Sequence, residues 1–192
     1  GFSTNTVSLA LHQSPLVAEE TSAAIWAVAR KLNYRPNQLA RSLVNQQSKT
    51  VGLILTNMQN PILTRAAETI QHVLLGHRYA TLFATSNHSI EQEKHAIETF
   101  LDRQVDGMLI YPTNHGEVAH IADVLEHGTP VVLLSGGRNP ALDAVCVDSR
   151  LGAQRATEHL LKLGHRRIAI IDNAPALGNF EKQQGYVEAL NA

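Results

Sequence analysis

The chain has 192 residues, of which 44% are hydrophobic and 17% charged, and this is the composition of a globular protein rather than a disordered or fibrous one. No apolar run approaches the roughly 20 residues of a membrane helix, and no charged-then-apolar leader is recognisable. One cysteine excludes an internal disulfide framework. We therefore expect one or two folded domains in the cytoplasm.

The charge is unevenly distributed along the chain. Residues 1–50 carry a formal charge of +3, and residues 51–192 carry −4. This distribution favours a basic segment that binds a polyanion, with a chance excess of charge in so short a segment as the alternative.

The first 34 residues predict two helices. Ser3 or Thr4 is a suitable cap for a helix that runs to about His12. Its apolar face consists of Val7, Ala10 and Leu11. Thr4, Asn5 and Ser8 lie off that face, and an asparagine can form two hydrogen bonds with adenine. These residues indicate a DNA contact, with a solvated polar face as the alternative.

A second helix is predicted from about Glu19 to Asn33, and a short basic segment follows it. The apolar stripe of this helix consists of Ile25, Val28, Ala29 and Leu32. A third, very short helix is predicted to begin at Pro36. Because isolated helices need about 12–15 residues to be even marginally stable in water, we expect this one to be ordered only against a partner.

From Val51 onward, apolar runs alternate with amphipathic stretches, which predicts an α/β fold with a doubly wound parallel sheet. The predicted strands are 51–55, 79–84, 106–111, 130–134, 144–147 and 167–171. The predicted helices lie near 62–76, 90–103, 116–127 and 149–163. Gly76, Gly128 and Gly164 stand where helices should end, and Cys146 is expected to be a buried strand thiol.

Ligands of such sheets bind beyond the carboxyl ends of the strands. The predicted ends are 56–57, 85–87, 112–114, 135–138 and Asp148.

Signals for an enzyme are weak. The sequence SGGRN at 135–139 is not a dinucleotide-binding motif, and no HExxH occurs among the ten histidines. Asp102 and Asp106 flank a predicted helix-to-strand turn, as solvated turn carboxylates usually do. The sequence predicts no cofactor, no metal and no catalytic set of residues.

Together, several motifs resemble the LacI/GalR family of bacterial transcriptional regulators across essentially the whole chain. They are STNTVSLAL (3–11), LNYRPNQLARSL (32–43), SKTVGLI (48–54), Asn60-Pro61, VDGMLIY (105–111), EHLLKLGHRRIAII (158–171) and GYVEAL (185–190). The resemblance implies a three-helix DNA-binding head, a hinge helix and a two-subdomain core similar to periplasmic sugar-binding proteins. It also implies a homodimer whose affinity for double-stranded operator DNA is set by a small effector, commonly a sugar or nucleobase.

The resemblance assigns roles to particular positions. In the recognition helix, the DNA-binding positions are Ser3, Thr4, Asn5, Thr6 and Ser8. After the second helix they are Tyr34, Asn37, Ala40, Arg41 and Leu43, where Leu43 matches a leucine that inserts between base pairs in the minor groove. At or beside the effector pocket the positions are Thr56, Asn57, Asn87, Asp148 and Lys182.

Four positions depart from the family pattern. Leu9 and Lys182 stand where arginine is usual. Leu9 would replace a contact to a base or phosphate by an apolar one, and Lys182 lacks the planar group with which arginine binds sugar hydroxyls through two hydrogen bonds. Ala18 replaces the serine or threonine that would cap the second helix. Trp26 lies off the apolar stripe, either as an exposed aromatic or as a contact within a dimer.

The predicted domains are a partial helix-turn-helix head (1–34), a hinge (35–48), the first core subdomain (49–163) and the start of the second (164–192). We expect the chain to be a fragment that lacks a first head helix and most of the second subdomain, and that binds DNA poorly by itself.

The leading prediction is therefore a sequence-specific DNA-binding regulator, most simply a repressor, controlled by an effector. A solute-binding module of the same core fold is the alternative, and an α/β enzyme is a third reading.

Overall fold

The computed structural model describes residues 1–11, 14–34, 47–135, 139–171 and 177–191, and the side chains of all these except 177–179. The chain divides into two compact units, Gly1–Gln46 and Gln47–Ala192. Among the described residues, the first unit contains two helices, and the second contains a five-stranded sheet with its helices.

Helix α1 (Thr4–Leu11) begins at the predicted serine cap. The Ser3 hydroxyl accepts a hydrogen bond from the Thr6 backbone N–H at 3.1 Å and lies 2.8 Å from the Thr6 hydroxyl. Such a cap satisfies an N–H group that the first turn leaves without a helical partner. The α1 side chains that face α2 include Ala10, which is fully buried, and the Ser22 hydroxyl donates to the Ala10 carbonyl at 3.4 Å.

Helix α2 (Glu19–Lys31) has no side-chain cap at Ala18, as predicted. Glu19 and Glu20 in its first turn and Arg30 and Lys31 in its last turn have the charges that suit the helix dipole. The predicted apolar stripe is only half correct. Ile25 and Ala29 are buried, but Val28 and Leu32 are 56% and 72% exposed because nothing in the described part of the first unit packs over that side.

The second unit is built on an all-parallel sheet of strand order β2-β1-β3-β4-β5. Its strands are β1 (Thr50–Leu55), β2 (Ala80–Thr85), β3 (Gly107–Ile110), β4 (Val131–Leu134) and β5 (Asp143–Val145). Its helices are α3 (Pro61–Gly76), α4 (Ile90–Asp102), α5 (Ala119–Glu126), α6 (Ser149–Lys162) and α7 (Leu177–Asn191). The predicted fold class and the first five predicted strands are thereby confirmed.

Both faces of the sheet are covered, which explains the continuous apolar runs. On one face, Ile54, Met108 and Leu133 pack with residues of α4 and α5 such as Phe100 and Ile121. On the other face, Leu53 and Leu55 pack against Leu63 of α3. Gly52 in β1 leaves the space that the Phe100 ring fills, since a Cβ atom there would overlap the ring.

The glycines at the helix ends are placed as predicted. Helix α3 ends at Gly76, and Gly128 and Gly164 follow α5 and α6 with φ values of +76° and +89°. Side chains rarely adopt these left-handed values, so glycine is suited to both positions.

Helices α6 and α7 pack closely against each other, and neither contacts another described helix or strand. Gly185 permits the approach, because a Cβ atom there would overlap the Arg150 backbone carbonyl. An ion pair between Arg150 Nη2 and Glu188 Oε1, 2.6 Å long, also joins the two helices.

Two predictions about the later part of the chain are wrong. Residues 167–171 form no strand, because no described strand lies beside them, and Ile171 is 96% exposed. Cys146 is exposed rather than buried, since β5 is a short edge strand that ends at the preceding residue.

None of the described helices is long and apolar enough to cross a membrane.

Candidate functional site

The amino-terminal turn of α1 presents a polar surface. Thr4, Asn5 and Ser8 are exposed, and their spacing places them on one side of the helix. Ser3 and Thr6 have a different local role, because their hydroxyls form the helix cap. The five predicted DNA-binding residues of this helix thus include three on an exposed face and two that fix the helix start.

The second group of predicted DNA-binding residues is described only at its first member. Tyr34 is 53% exposed and follows α2, where its N–H donates to the Ala29 carbonyl at 2.9 Å. Asn37, Ala40, Arg41 and Leu43 lie outside the described residues.

The carboxyl edge of the sheet, the second candidate site, is formed by residues 56–57, 86–88, 111–115, 135 and 146–148. Parallel pairing brings the ends of β1, β2 and β3 together. The pairing continues one residue beyond the strands, because the Ser86 N–H donates to the Leu55 carbonyl and the Tyr111 N–H donates to the Ile54 carbonyl. Thr56 is 4% exposed, so its side chain is buried beneath the carboxyl edge and is not part of the exposed surface there.

Asn57 connects the ends of β1 and β2. Its Oδ1 accepts hydrogen bonds from the N–H groups of Gln59 and Asn60 at 2.9 and 3.0 Å. Its Nδ2 lies 2.9 Å from His88 Nε2. Because both ends of the amide have partners, Asn57 is held in one orientation.

The turn after β2 contains two consecutive residues with left-handed backbone, Asn87 at φ +48° and His88 at φ +61°. Neither is glycine, and non-glycine residues reach this region at a cost that is tolerated most often in asparagine. The exposed Asn87 side chain donates to Gln92 Oε1 at 2.9 Å. Strained residues of this kind often mark functional turns.

A buried carboxylate lies beneath the edge. Glu93 of α4 is 0% exposed; its Oε2 accepts from the Thr113 backbone N–H at 2.6 Å, and its Oε1 lies 2.7 Å from Nε2 of His120 in α5. The Thr113 hydroxyl lies 2.7 Å from that of Ser86, which is also 0% exposed. This network joins the end of β2, the loop after β3, α4 and α5.

His115 lies beside the same network. Its ring meets the Tyr111 ring edge-on with centroids 5.2 Å apart, and no described group bonds to its buried Nδ1. Burial lowers the pKa of His115, while the Ser135 backbone and the charge of Glu93 act in the opposite direction. The lowered pKa favours a neutral ring at this edge.

The last two predicted effector residues are in different places. Asp148 is exposed at the carboxyl edge and caps α6, where its Oδ1 accepts from the Leu151 N–H at 2.8 Å. Lys182 is exposed on α7, and no described contact connects it with the carboxyl edge. The structure therefore brings four of the five predicted residues to one edge.

Glu93 and His120 were not among the predicted site residues, whereas Thr113 and Ser86 lie in the predicted strand ends 112–114 and 85–87. A signal existed, because Glu93 stands three, four and seven positions before Ala96, Ile97 and Phe100, all of which are buried on one side of α4. A carboxylate on the inward stripe of a helix must find hydrogen-bond donors. The identity of those donors depends on the loop after β3 and was not visible in the sequence.

Chemically, the carboxyl edge offers amide, hydroxyl, imidazole and carboxylate groups, which suit a ligand rich in hydroxyl or ring N–H groups. Within the described ranges, no three His, Cys, Asp or Glu side chains are grouped so that they could hold a metal ion.

Two family models match the chain. Residues 48–192 match periplasmic binding proteins and the sugar binding domain of the LacI family, and residues 1–37 match the lacI family of bacterial regulatory proteins. The first match defines the second unit as a binding domain of the periplasmic-binding-protein class. The chain belongs to the LacI family.

Similar proteins agree with this assignment. The HTH-type transcriptional repressor PurR of Photorhabdus laumondii is 30% identical over 99% of this chain and 57% of its own length. The lac repressor dimer bound to operator and the anti-inducer ONPF has the same fold, with a TM-score of 0.85 at 22% identity over 100% of this chain and 58% of that one. The transcription regulator CcpA of Lactococcus lactis gives a TM-score of 0.64 at 28% identity over 74% and 53%. The chain thus spans about half the length of the relatives it matches.

Proposed function

We propose that the protein is a sequence-specific, DNA-binding transcriptional repressor whose operator affinity is controlled by a small effector. The observation that carries the proposal is the order of two matched regions in one chain: a regulatory-protein region at residues 1–37 precedes a sugar-binding-type domain at 48–192. A solute-binding protein without a DNA-binding role leaves the first region unexplained.

The first unit supports the DNA-binding half of the proposal. In a helix-turn-helix, the start of the second helix of the motif enters the major groove and its side chains meet base edges. Helix α1 would take this role, with Thr4, Asn5 and Ser8 toward the bases. Asn5 would make the most specific contact, since an asparagine forms two hydrogen bonds with adenine alone.

Residues 35–48 would form the hinge and linker, with Leu43 inserted between base pairs and Ala40 beside it in the minor groove. Asn37 and Arg41 would contact the DNA backbone, as would Tyr34. Inserting a leucine costs a few kcal/mol of base stacking and bends the duplex. A hinge that becomes ordered on DNA couples its folding to binding.

The carboxyl edge would hold the effector. Asn57, Asn87, His88 and Asp148 offer donors and acceptors suited to sugar hydroxyls or nucleobase edges. Lys182 would reach the ligand only if α7 approaches this edge in the complete protein. The binding role, rather than catalysis, is the activity we propose for this edge.

Dimerisation belongs to the same proposal. The lac repressor structure is that of a dimer on its operator, and two copies of this chain would bind the two halves of a symmetric DNA site. We place the protein in the cytoplasm with its DNA.

We propose that the core has two subdomains. The sequence predicts the boundary between them near Gly164. The packing of α6 against α7, and against no other described helix or strand, favours a boundary near Asp148.

The test is a selection of genomic DNA fragments by the protein expressed from its complete gene, followed by thermal-shift screening with D-ribose, D-fructose, guanine and hypoxanthine. We expect enrichment of one sequence with two symmetric halves and a raised melting temperature with one ligand class. Enrichment of no sequence would contradict DNA-binding regulation, and a ligand shift without DNA enrichment would favour the solute-binding alternative.

A further inference from the structure

Asp106 is not the solvated turn carboxylate that the sequence predicts. It lies half-buried just before β3, and both of its carboxylate oxygens accept hydrogen bonds from residues 58 and 57 positions earlier in the chain. Oδ1 accepts from the Ser48 backbone N–H at 2.6 Å and from the Ser48 hydroxyl at 2.9 Å. Oδ2 accepts from the Lys49 backbone N–H at 3.1 Å.

We name these three hydrogen bonds the Asp106 clamp, and all three have a carboxylate oxygen as the acceptor. Hydrogen bonds to an ionised acceptor are shorter than neutral ones and about twice as strong. Two consecutive backbone N–H groups pointing at one carboxylate also fix the direction of the chain, because both peptide planes must face the same acceptor.

The neighbouring contacts hold the same residues from the other side. Lys49 has a left-handed backbone, with φ at +54°, and its Nζ lies 4.6 Å from the centroid of the Tyr79 ring and 3.3 Å from the Tyr79 hydroxyl. The Lys49 carbonyl accepts from the Ala80 N–H at 2.8 Å, and the Asp106 N–H donates to the Thr50 carbonyl at 2.8 Å. Residues 48–50 are therefore fixed between the amino ends of β2 and β3.

The Asp106 clamp lies where the chain enters β1. Residues 48–50 connect the proposed hinge and linker at 35–48 to β1 of the sheet. Asp106 begins the stretch that leads into β3, and the other end of β3 leads to Tyr111 and Thr113 at the carboxyl edge. One central strand thus separates the clamp from the proposed effector site.

We propose that Asp106 is the positioning residue that fixes the start of the core where it meets the hinge, so that operator affinity depends on the clamp. This inference rests on the proposed function. The clamp fixes the residues to which the hinge is attached, whereas loose residues there must lose additional conformational freedom when the hinge is ordered on DNA.

The test compares Asp106→Asn with Asp102→Asn, which removes the same charge from an exposed residue at the end of α4. The asparagine amide keeps one oxygen but replaces the second acceptor by a donor, so it cannot receive both backbone N–H groups. Ser48→Ala is a milder second variant, because it removes the hydroxyl and keeps both backbone bonds. Thermal unfolding checks that each variant of the complete protein is folded.

The first measurement is hydrogen exchange of the amides of Ser48 and Lys49. We expect at least about tenfold faster exchange in Asp106→Asn, since losing a charged hydrogen bond changes a local equilibrium by about that factor. The second measurement is the affinity for the selected operator DNA at constant salt, which we expect to fall by about tenfold. In Asp102→Asn both should stay within about twofold of the wild-type values.

Unchanged exchange at Ser48 and Lys49 in Asp106→Asn would overturn the clamp itself. Faster exchange with unchanged operator affinity would overturn its role in positioning the hinge. A wild-type protein that selects no DNA sequence would instead overturn the proposed function, and with it the DNA part of this inference, while the exchange result still decides whether the clamp exists.

Discussion

At the scale of single residues, Glu93 is important for the structure of the site although it was not among the predicted site residues. It is a fully buried carboxylate that accepts from a loop N–H and faces an imidazole, and so it fixes the loop after β3 beneath the carboxyl edge. Removing one partner of a buried charge leaves the other partner uncompensated, which costs more than the bond contributed.

We predict that Glu93→Gln lowers the free energy of unfolding by about 1–3 kcal/mol, because the amide cannot accept from both the Thr113 N–H and His120. Urea unfolding followed by circular dichroism measures the change. Glu98→Gln on the exposed side of the same helix is the matched control and should stay within about 0.5 kcal/mol of wild type. Equal effects of the two substitutions would show that Glu93 has no special role.

His115 makes a second residue-scale prediction, which concerns pH. Burial lowers its pKa in the folded protein, so between the folded and unfolded pKa values the unfolded chain binds more protons. Its contribution to stability is therefore complete above the unfolded value of about 6.5 and is lost as the pH falls below it. His115→Gln should reduce the loss of stability between about pH 7.5 and about pH 5.5. His72→Gln, on the exposed side of α3, is the control and should change the free energy of unfolding at pH 7.5 by less than about 0.5 kcal/mol. An unchanged pH dependence in His115→Gln would contradict the assignment.

Residues with a local partner are the ones whose environment the sequence predicts best. Ser3 caps α1 and Ala18 leaves α2 uncapped, as predicted, because a cap involves only neighbouring residues. The environments of Asp106 and Cys146 differ from those that the sequence predicts. The environment of each depends on residues brought near it by the fold, or on the length of an edge strand.

At the scale of elements, helix ends determine how well each helix is stabilised. Ala18, the cap position before α2, has φ −56° and ψ 142°, a suitable geometry for a capping side chain that alanine lacks.

We predict that Ala18→Ser stabilises the first unit by about 1 kcal/mol, because the hydroxyl would accept a free N–H of the first turn. The fluorescence of Trp26, the only tryptophan of the chain and a residue of α2, reports thermal unfolding of this unit. Ala23→Ser, inside the same helix and exposed, provides no cap and should destabilise it by about 0.5 kcal/mol. A lower melting temperature for Ala18→Ser would contradict the absence of a cap.

The pairing of α6 with α7 gives the second prediction at this scale. Gly185→Ala would force the two helices apart, since its Cβ atom overlaps the Arg150 carbonyl, and should cost about 1–3 kcal/mol in urea unfolding. Gly152→Ala in α6 has open space around the new methyl group, so better helix propensity should stabilise the protein by up to about 1 kcal/mol. If both substitutions stabilise the protein, α6 and α7 do not pack as described.

The strands illustrate what local sequence can and cannot specify. The apolar runs at β1, β3 and β4 contain buried residues, and the run at the edge strand β2 is also mainly apolar, so the pattern alone predicts all four strands. The run at 167–171 has the same pattern, but a strand also needs a hydrogen-bonded neighbour, and none is described beside it.

At the scale of the whole molecule, the chain joins a short first unit, in which two helices are described, to a parallel α/β unit, and both match regions of one family. The sheet order β2-β1-β3-β4-β5 places the ends of β1, β2 and β3 side by side, which brings Asn57, Asn87 and the loop after β3 to one edge. The opposite ends of the same strands hold residues 48–50 beside Asp106. We propose that the first unit binds DNA under the control of the second.

The most direct test is the affinity of the complete protein for the selected DNA site and for a scrambled duplex of the same composition, at fixed salt and by fluorescence anisotropy. We expect a ratio of at least about 1,000 between the two affinities. Asn5→Ala should lower the free-energy difference between binding to the two duplexes by about 1–3 kcal/mol through loss of an adenine contact, whereas Thr69→Ala on the exposed side of α3 should not change it. Equal affinity for the selected and scrambled duplexes, or an Asn5→Ala variant with the wild-type ratio, would contradict DNA recognition by the first unit.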